Sequence, residues 1–155
     1  MEKFFDKMET YNILNFLFPG IIFASILTFL TEKNIYSSSL IIATFEYYFT
    51  GLVLSRIGSI VINPIIEKTR VVKKEKYKNF ICKEEKDKKI EILQREANQY
   101  RTFVATFVCL LLVEIYNCIF VDISKINTII YFIGLIILFT LSYRKQLKFI
   151  IERLK

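Results

Sequence analysis

The chain has no histidine, only four glycines and only three cysteines among its 155 residues. Without histidine the commonest general base and metal ligand is missing, which argues against a catalytic triad or a zinc hydrolase. The glycines are unclustered, so neither a P-loop nor a dinucleotide-binding fingerprint can form. No G-x-S-x-G elbow occurs, and the serines and threonines of the apolar runs lack a nearby base. Cys82, Cys109 and Cys118 match no zinc spacing. At 100° per residue, Cys109 and Cys118 fall on opposite faces of one helix and cannot pair with each other. The expectation is a non-enzyme with no catalytic residue, metal or cofactor.

What is present is apolar length. Hydrophobic residues make up 54% of the chain, and the charged residues lie in blocks between apolar runs. The runs are Ile13–Thr31, Leu40–Ile62, Thr102–Val121 and Asn127–Tyr143. About 20 residues at ~1.5 Å each cross a hydrocarbon layer of ~30 Å. The first three runs meet that length, and the fourth is short but continues into a basic tail. The expected fold is all-α: an integral membrane protein with four transmembrane helices and a cytoplasmic helical hairpin between helices 2 and 3. A soluble helical bundle is the alternative. The organisation would be 1–62 for an N-terminal cytoplasmic segment and helices 1 and 2, then 63–101 for the basic hairpin. Helices 3 and 4 would occupy 102–143, and an amphipathic cytoplasmic tail 144–155.

The net charge of +7 becomes informative once placed on this topology. Lys3 and Lys7 precede the first run, twelve basic residues fill the 63–101 connector, and five follow the last run. The two alternate loops carry only Lys33 and Lys125. The positive-inside rule then places both termini and the connector in the cytoplasm, as in a bacterial inner membrane. Cys82 would lie there too, where thiols stay reduced. The start, Met1–Asn12, mixes acids and bases ahead of a long apolar run. It is expected to be a short surface helix before a retained first span rather than a signal peptide.

Within the spans a few residues stand out. Gly51, Ser55 and Ser59 recur every four residues, with Gly58 alongside, as a small-residue seam that lets helix backbones approach closely. Glu46, Arg56 and Glu114 are charges inside apolar runs, and Asn117 lies one turn from Glu114. A charge at the bilayer centre costs at least about 2.5–3.5 kcal/mol, so these groups should face protein or water, as structural ion pairs, pore lining or proton-coupling groups. Arg56 can also snorkel inward. Pro19 and Pro64 should kink the first two spans or end the second.

The connector is the largest water-exposed segment. Lys68, Arg70, Lys73, Lys74, Lys76 and Lys78 face a single acid, Glu75, and suggest an anion-binding surface for nucleic acid, nucleotide or lipid headgroups. The positive-inside signal alone would also account for them. A second helix, from about Asp87 into the third span, carries the apolar stripe Ile90, Leu93, Ala97, Tyr100, Val104 and Phe107. The tail stripe Leu147, Ile150, Ile151 and Leu154 should lie on the membrane surface or pack on the hairpin.

One small chain has little protein with which to bury three charges and a packing seam. A homo-oligomer, tetrameric or larger, is therefore expected in the lipid bilayer. Its activity would be ion conduction, with rings of charge and apolar constrictions supplying selectivity and gating. The alternatives are a non-conducting membrane anchor or assembly subunit, and a small proton-coupled carrier using Glu46 or Glu114. The stretches Tyr48–Pro64 (YFTGLVLSRIGSIVINP) and Arg95–Thr102 (REANQYRT) resemble the transmembrane effectors of bacterial anti-phage defence operons, nearest among them the Hailong system. That resemblance implies a pore-forming effector. It also implies a partner nucleotidyltransferase whose single-stranded DNA oligomers hold the channel closed through a basic vestibule, at some of the six connector cations.

Overall fold

The structure is a computed structural model that describes residues 13–68, 88–120 and 126–154. Helix α1 spans Phe18–Thr31, led by a wide π-helical turn over Ile13–Leu17. Helix α2 spans Leu40–Ile57 and passes through a second π-helical turn, Gly58–Ile62, into the short α3, Asn63–Lys68. Helix α4 spans Lys88–Phe120 and α5 spans Ile126–Leu154. Among the described residues there is no strand. Three stretches, Leu40–Lys68, Lys89–Phe120 and Ile126–Arg153, are long and apolar enough to cross a membrane. The fourth apolar helix, Asn15–Thr31, is shorter, at ~26 Å by helical rise.

The two π-helical turns have one cause. Each begins six residues before a proline and ends two before it, Ile13–Leu17 before Pro19 and Gly58–Ile62 before Pro64. Proline lacks the N–H that an α-helix would send to the carbonyl four residues back, and its ring clashes with that carbonyl. One widened turn relieves the clash without ending the helix. At the second site the Asn63 N–H reaches back five residues to the Gly58 carbonyl. The helix thus continues beyond Pro64 as far as Lys68 rather than stopping there.

Helix α4 is the organising element, packed on α1, α2 and α5. It runs antiparallel to α5 over nearly its whole length. Phe103 and Phe107 lie 5.0 Å and 5.4 Å from Phe139, and Glu96 accepts a hydrogen bond from Gln146 nearer the other end. Helix α1 follows only the apolar part of α4, with Phe18 against Phe103 at one end and Leu30 against Asn117 at the other. At 33 residues α4 is ~50 Å long, well beyond a ~30 Å hydrocarbon layer, so its first turns form a stalk below the apolar part.

The interior has two levels. One is aromatic, with Phe103, Phe107, Leu110 and Phe132 closed by Leu30 and its neighbours on α1. The other continues into the stalk and joins Ile62 and Ile66 to Ile90, Ala97 and Val104 of α4 and to Tyr143 and Ile150 of α5. The stripe on α4 therefore packs within the chain. The tail takes the second of its two expected positions, lying along α4 by its apolar face. Residues 69–87 of the expected hairpin, the segment 1–12 and the loop 121–125 lie outside the described residues.

Candidate functional site

The small residues of α2 are occupied inside the chain. A methyl group at Gly51 would fall on the Phe16 carbonyl, and one at Gly20 on the Tyr47 carbonyl, so α1 and α2 touch backbone to backbone at two reciprocal points. Gly58 lies against α4, where a Cβ would stand 3.2 Å from the Arg101 carbonyl. Ser55 is buried and Ser59 half-buried. Phe16 and Tyr48 close the first contact with an edge-to-face pair at 5.7 Å. Such close approach supplies the dispersion contacts that hold helices together where lipid is as apolar as the side chains.

The charged candidates fall into three different settings. Glu46 accepts the Ser37 N–H at 2.9 Å and so ties down the loop between α1 and α2. Ser39 stands at the N-cap of α2, where its carbonyl accepts the Ala43 N–H but its hydroxyl makes no capping bond. Glu114 is fully buried on α4. Its Oε2 accepts from the Asn117 amide at 3.4 Å, and the same amide reaches the Leu30 carbonyl in the last turn of α1, also at 3.4 Å. The other carboxylate oxygen, Oε1, is buried with no hydrogen-bond partner. Asn117 thus fastens the end of α1 to α4 and gives Glu114 half of what burial demands.

Arg56 is exposed, on a stripe of α2 shared with the exposed apolar residues Phe49, Val53 and Ile60. Of the three charges inside the apolar runs of the sequence, Glu46, Arg56 and Glu114, it is the exposed one. It is not paired with Glu114. Of the six connector cations only Lys68 is described, and it is exposed at the end of α3. Arg70, Lys73, Lys74, Lys76 and Lys78 lie outside the described residues.

A polar cluster that the sequence did not single out lies where three apolar runs end. The Tyr143 hydroxyl donates to Asn63 Oδ1 at 2.9 Å, and the Asn63 amide donates to Glu67 Oε1 at 2.9 Å. The Arg101 guanidinium lies beside the Tyr143 side chain, and its Nε is buried without a partner. These contacts join α3, α4 and α5 beside the widened turn of α2. Asn63, Arg101 and Tyr143 each stand at the boundary of an apolar run, and that position was the available signal. Their meeting across some 80 residues of chain was not readable from spacing.

Comparison with protein-family models, with curated proteins and with solved structures returns no match for this chain.

Proposed function

We propose that the chain is a four-span protein of a bacterial inner membrane, with both termini cytoplasmic, that assembles into a homo-oligomeric channel. The observation that carries this reading is Arg56, a cation exposed on an otherwise apolar face. By helical rise it lies ~9 Å above Ile62, where the apolar run ends. Facing acyl chains there it bears a desolvation cost that snorkelling lowers, and that water or a neighbouring subunit removes. The interior of one chain is filled by Phe103, Phe107, Phe132 and Leu110, so a conducting path belongs between copies. The stripe Phe49, Val53, Arg56 and Ile60 of α2 is its proposed wall. A ring of arginines on that wall favours anions and repels cations.

Gating is proposed at the basic side. Lys68 ends α3, which continues through the widened turn into the pore-facing helix, and the cations from Arg70 to Lys78 follow directly in sequence. An anionic ligand held there, a single-stranded DNA oligomer or a nucleotide, would act on α2 through its most distorted turn. The defensive role, the nucleotidyltransferase partner and that class of ligand rest on the resemblance of Tyr48–Pro64 and Arg95–Thr102 alone.

The test is conductance of purified protein in planar bilayers, with and without short single-stranded oligonucleotides on the basic side. Discrete currents that the oligonucleotide suppresses, and that escape it in the Lys73→Glu/Lys74→Glu chain, support the gated channel. Discrete currents indifferent to the oligonucleotide keep the pore and remove the ligand. A folded oligomer that passes no current leaves the membrane anchor.

A further inference from the structure

Helix α5 has one exposed face along its whole length. Taking 100° per residue, Ile126, Ile130, Ile133, Gly134, Ile137, Leu138 and Leu141 lie within an arc of ~160°, and all are exposed. The same arc continues beyond Leu141 without rotating, and there it carries Arg144, Lys145, Lys148, Phe149 and Glu152, again all exposed. The opposite side, from Phe132 and Phe139 through Tyr143 to Gln146 and Ile150, is turned onto α4. An apolar face therefore changes to a basic one within a single turn, at a fixed azimuth, on a helix held rigidly by its other side.

We infer that Arg144, Lys145 and Lys148 form a binding site for the headgroups of anionic phospholipids in the leaflet that flanks α5. The acyl chains would lie along Ile130, Ile137 and Leu141. Helical rise puts Arg144 and Lys145 about 4.5 and 6 Å beyond Leu141 and Lys148 about 10.5 Å beyond it. The headgroup layer is roughly 5–7 Å deep, and a lysine or arginine stem of similar length lets all three cations reach it. Two contacts arrange the cations. Lys145 Nζ lies over the Phe149 ring at 5.8 Å, and Lys148 Nζ stands 3.7 Å from Glu152, the one acid on the patch. Both contacts are solvent-exposed and weak enough to exchange for a phosphate. Since the α5 tail also packs on the α4 stalk, a lipid held here would fix the stalk's height relative to the membrane.

The inference rests on the membrane-embedded part of the proposed function and is independent of conduction. It is tested by native mass spectrometry of the full chain purified from vesicles of equal phosphatidylglycerol and phosphatidylcholine content. One sample carries Arg144→Gln, Lys145→Gln and Lys148→Gln, and a charge-matched control carries Lys86→Gln, Lys88→Gln and Lys89→Gln, which belong neither to the α5 patch nor to the six connector cations. Each basic residue near an anionic surface is worth about fivefold in affinity, so the α5 variant should lose between about tenfold and about a hundredfold of its phosphatidylglycerol preference. The control should keep most of it. An integral protein with no such preference, or one whose preference falls equally in both variants, overturns the α5 site and leaves the membrane reading standing. A chain released from the vesicles by alkaline carbonate overturns both.

Discussion

The two helix pairs of this chain are held together by different means. Helices α1 and α2 meet through glycines, with Gly20 on the Tyr47 carbonyl and Gly51 on the Phe16 carbonyl, and each helix carries a proline-induced widened turn. Helices α4 and α5 meet through bulk, with Phe103, Phe107, Phe132 and Phe139 interleaved and no widened turn in either. A glycine contact has no side chain that can give way, so it fixes the crossing point of two helices firmly. A contact between large side chains can repack around a change. The widened turns both lie in the first pair. The second pair is a continuous post that carries the first and extends beyond it as the stalk.

The contrast can be broken at three places, in descending order of effect. Gly51→Leu puts a side chain into the Phe16 backbone and should separate α1 from α2. The expected loss is about 3 kcal/mol or more, read as the unfolding midpoint in detergent micelles. Phe107→Ala leaves a hole that neighbouring rings and lipid partly refill, and should cost about 2 kcal/mol in the same assay. A larger loss from Phe107→Ala than from Gly51→Leu would reverse the comparison. Tyr143→Phe removes the hydroxyl that ties the post to Asn63 of α3, and should cost about 1 kcal/mol. In a double-mutant cycle with Asn63→Ala most of that loss should vanish, and additive losses would show that the two side chains do not act together.

The helices were legible in the sequence because apolar run length is a strong signal, and the described residues of the runs from Leu40, Thr102 and Asn127 all lie within long helices. The continuation of α2 past Pro64 was not, because proline's effect depends on whether a widened turn can absorb it. The α4 stripe of Ile90, Leu93 and Ala97 was recognisable as a packing face, but its partners are Ile62, Ile66 and Ile150, and periodicity names no partner. The same limit applies to the charged candidates. Spacing flagged Glu46, Arg56 and Glu114 alike, whereas the fold makes Glu46 a loop anchor, buries Glu114 against Asn117 and leaves Arg56 exposed. The small-residue seam was a visible close-packing signal, and its occupants are the turn ahead of α1 at Gly51 and α4 at Gly58, both of the same chain.

The most direct measurement is the reversal potential of single-channel currents in a potassium chloride gradient, compared between the native chain and Arg56→Glu. If the α2 face with Arg56 lines the path between subunits, the native chain prefers chloride and the variant shifts toward potassium. Equal reversal potentials, with currents otherwise intact, would place Arg56 outside the lumen and contradict the proposed wall.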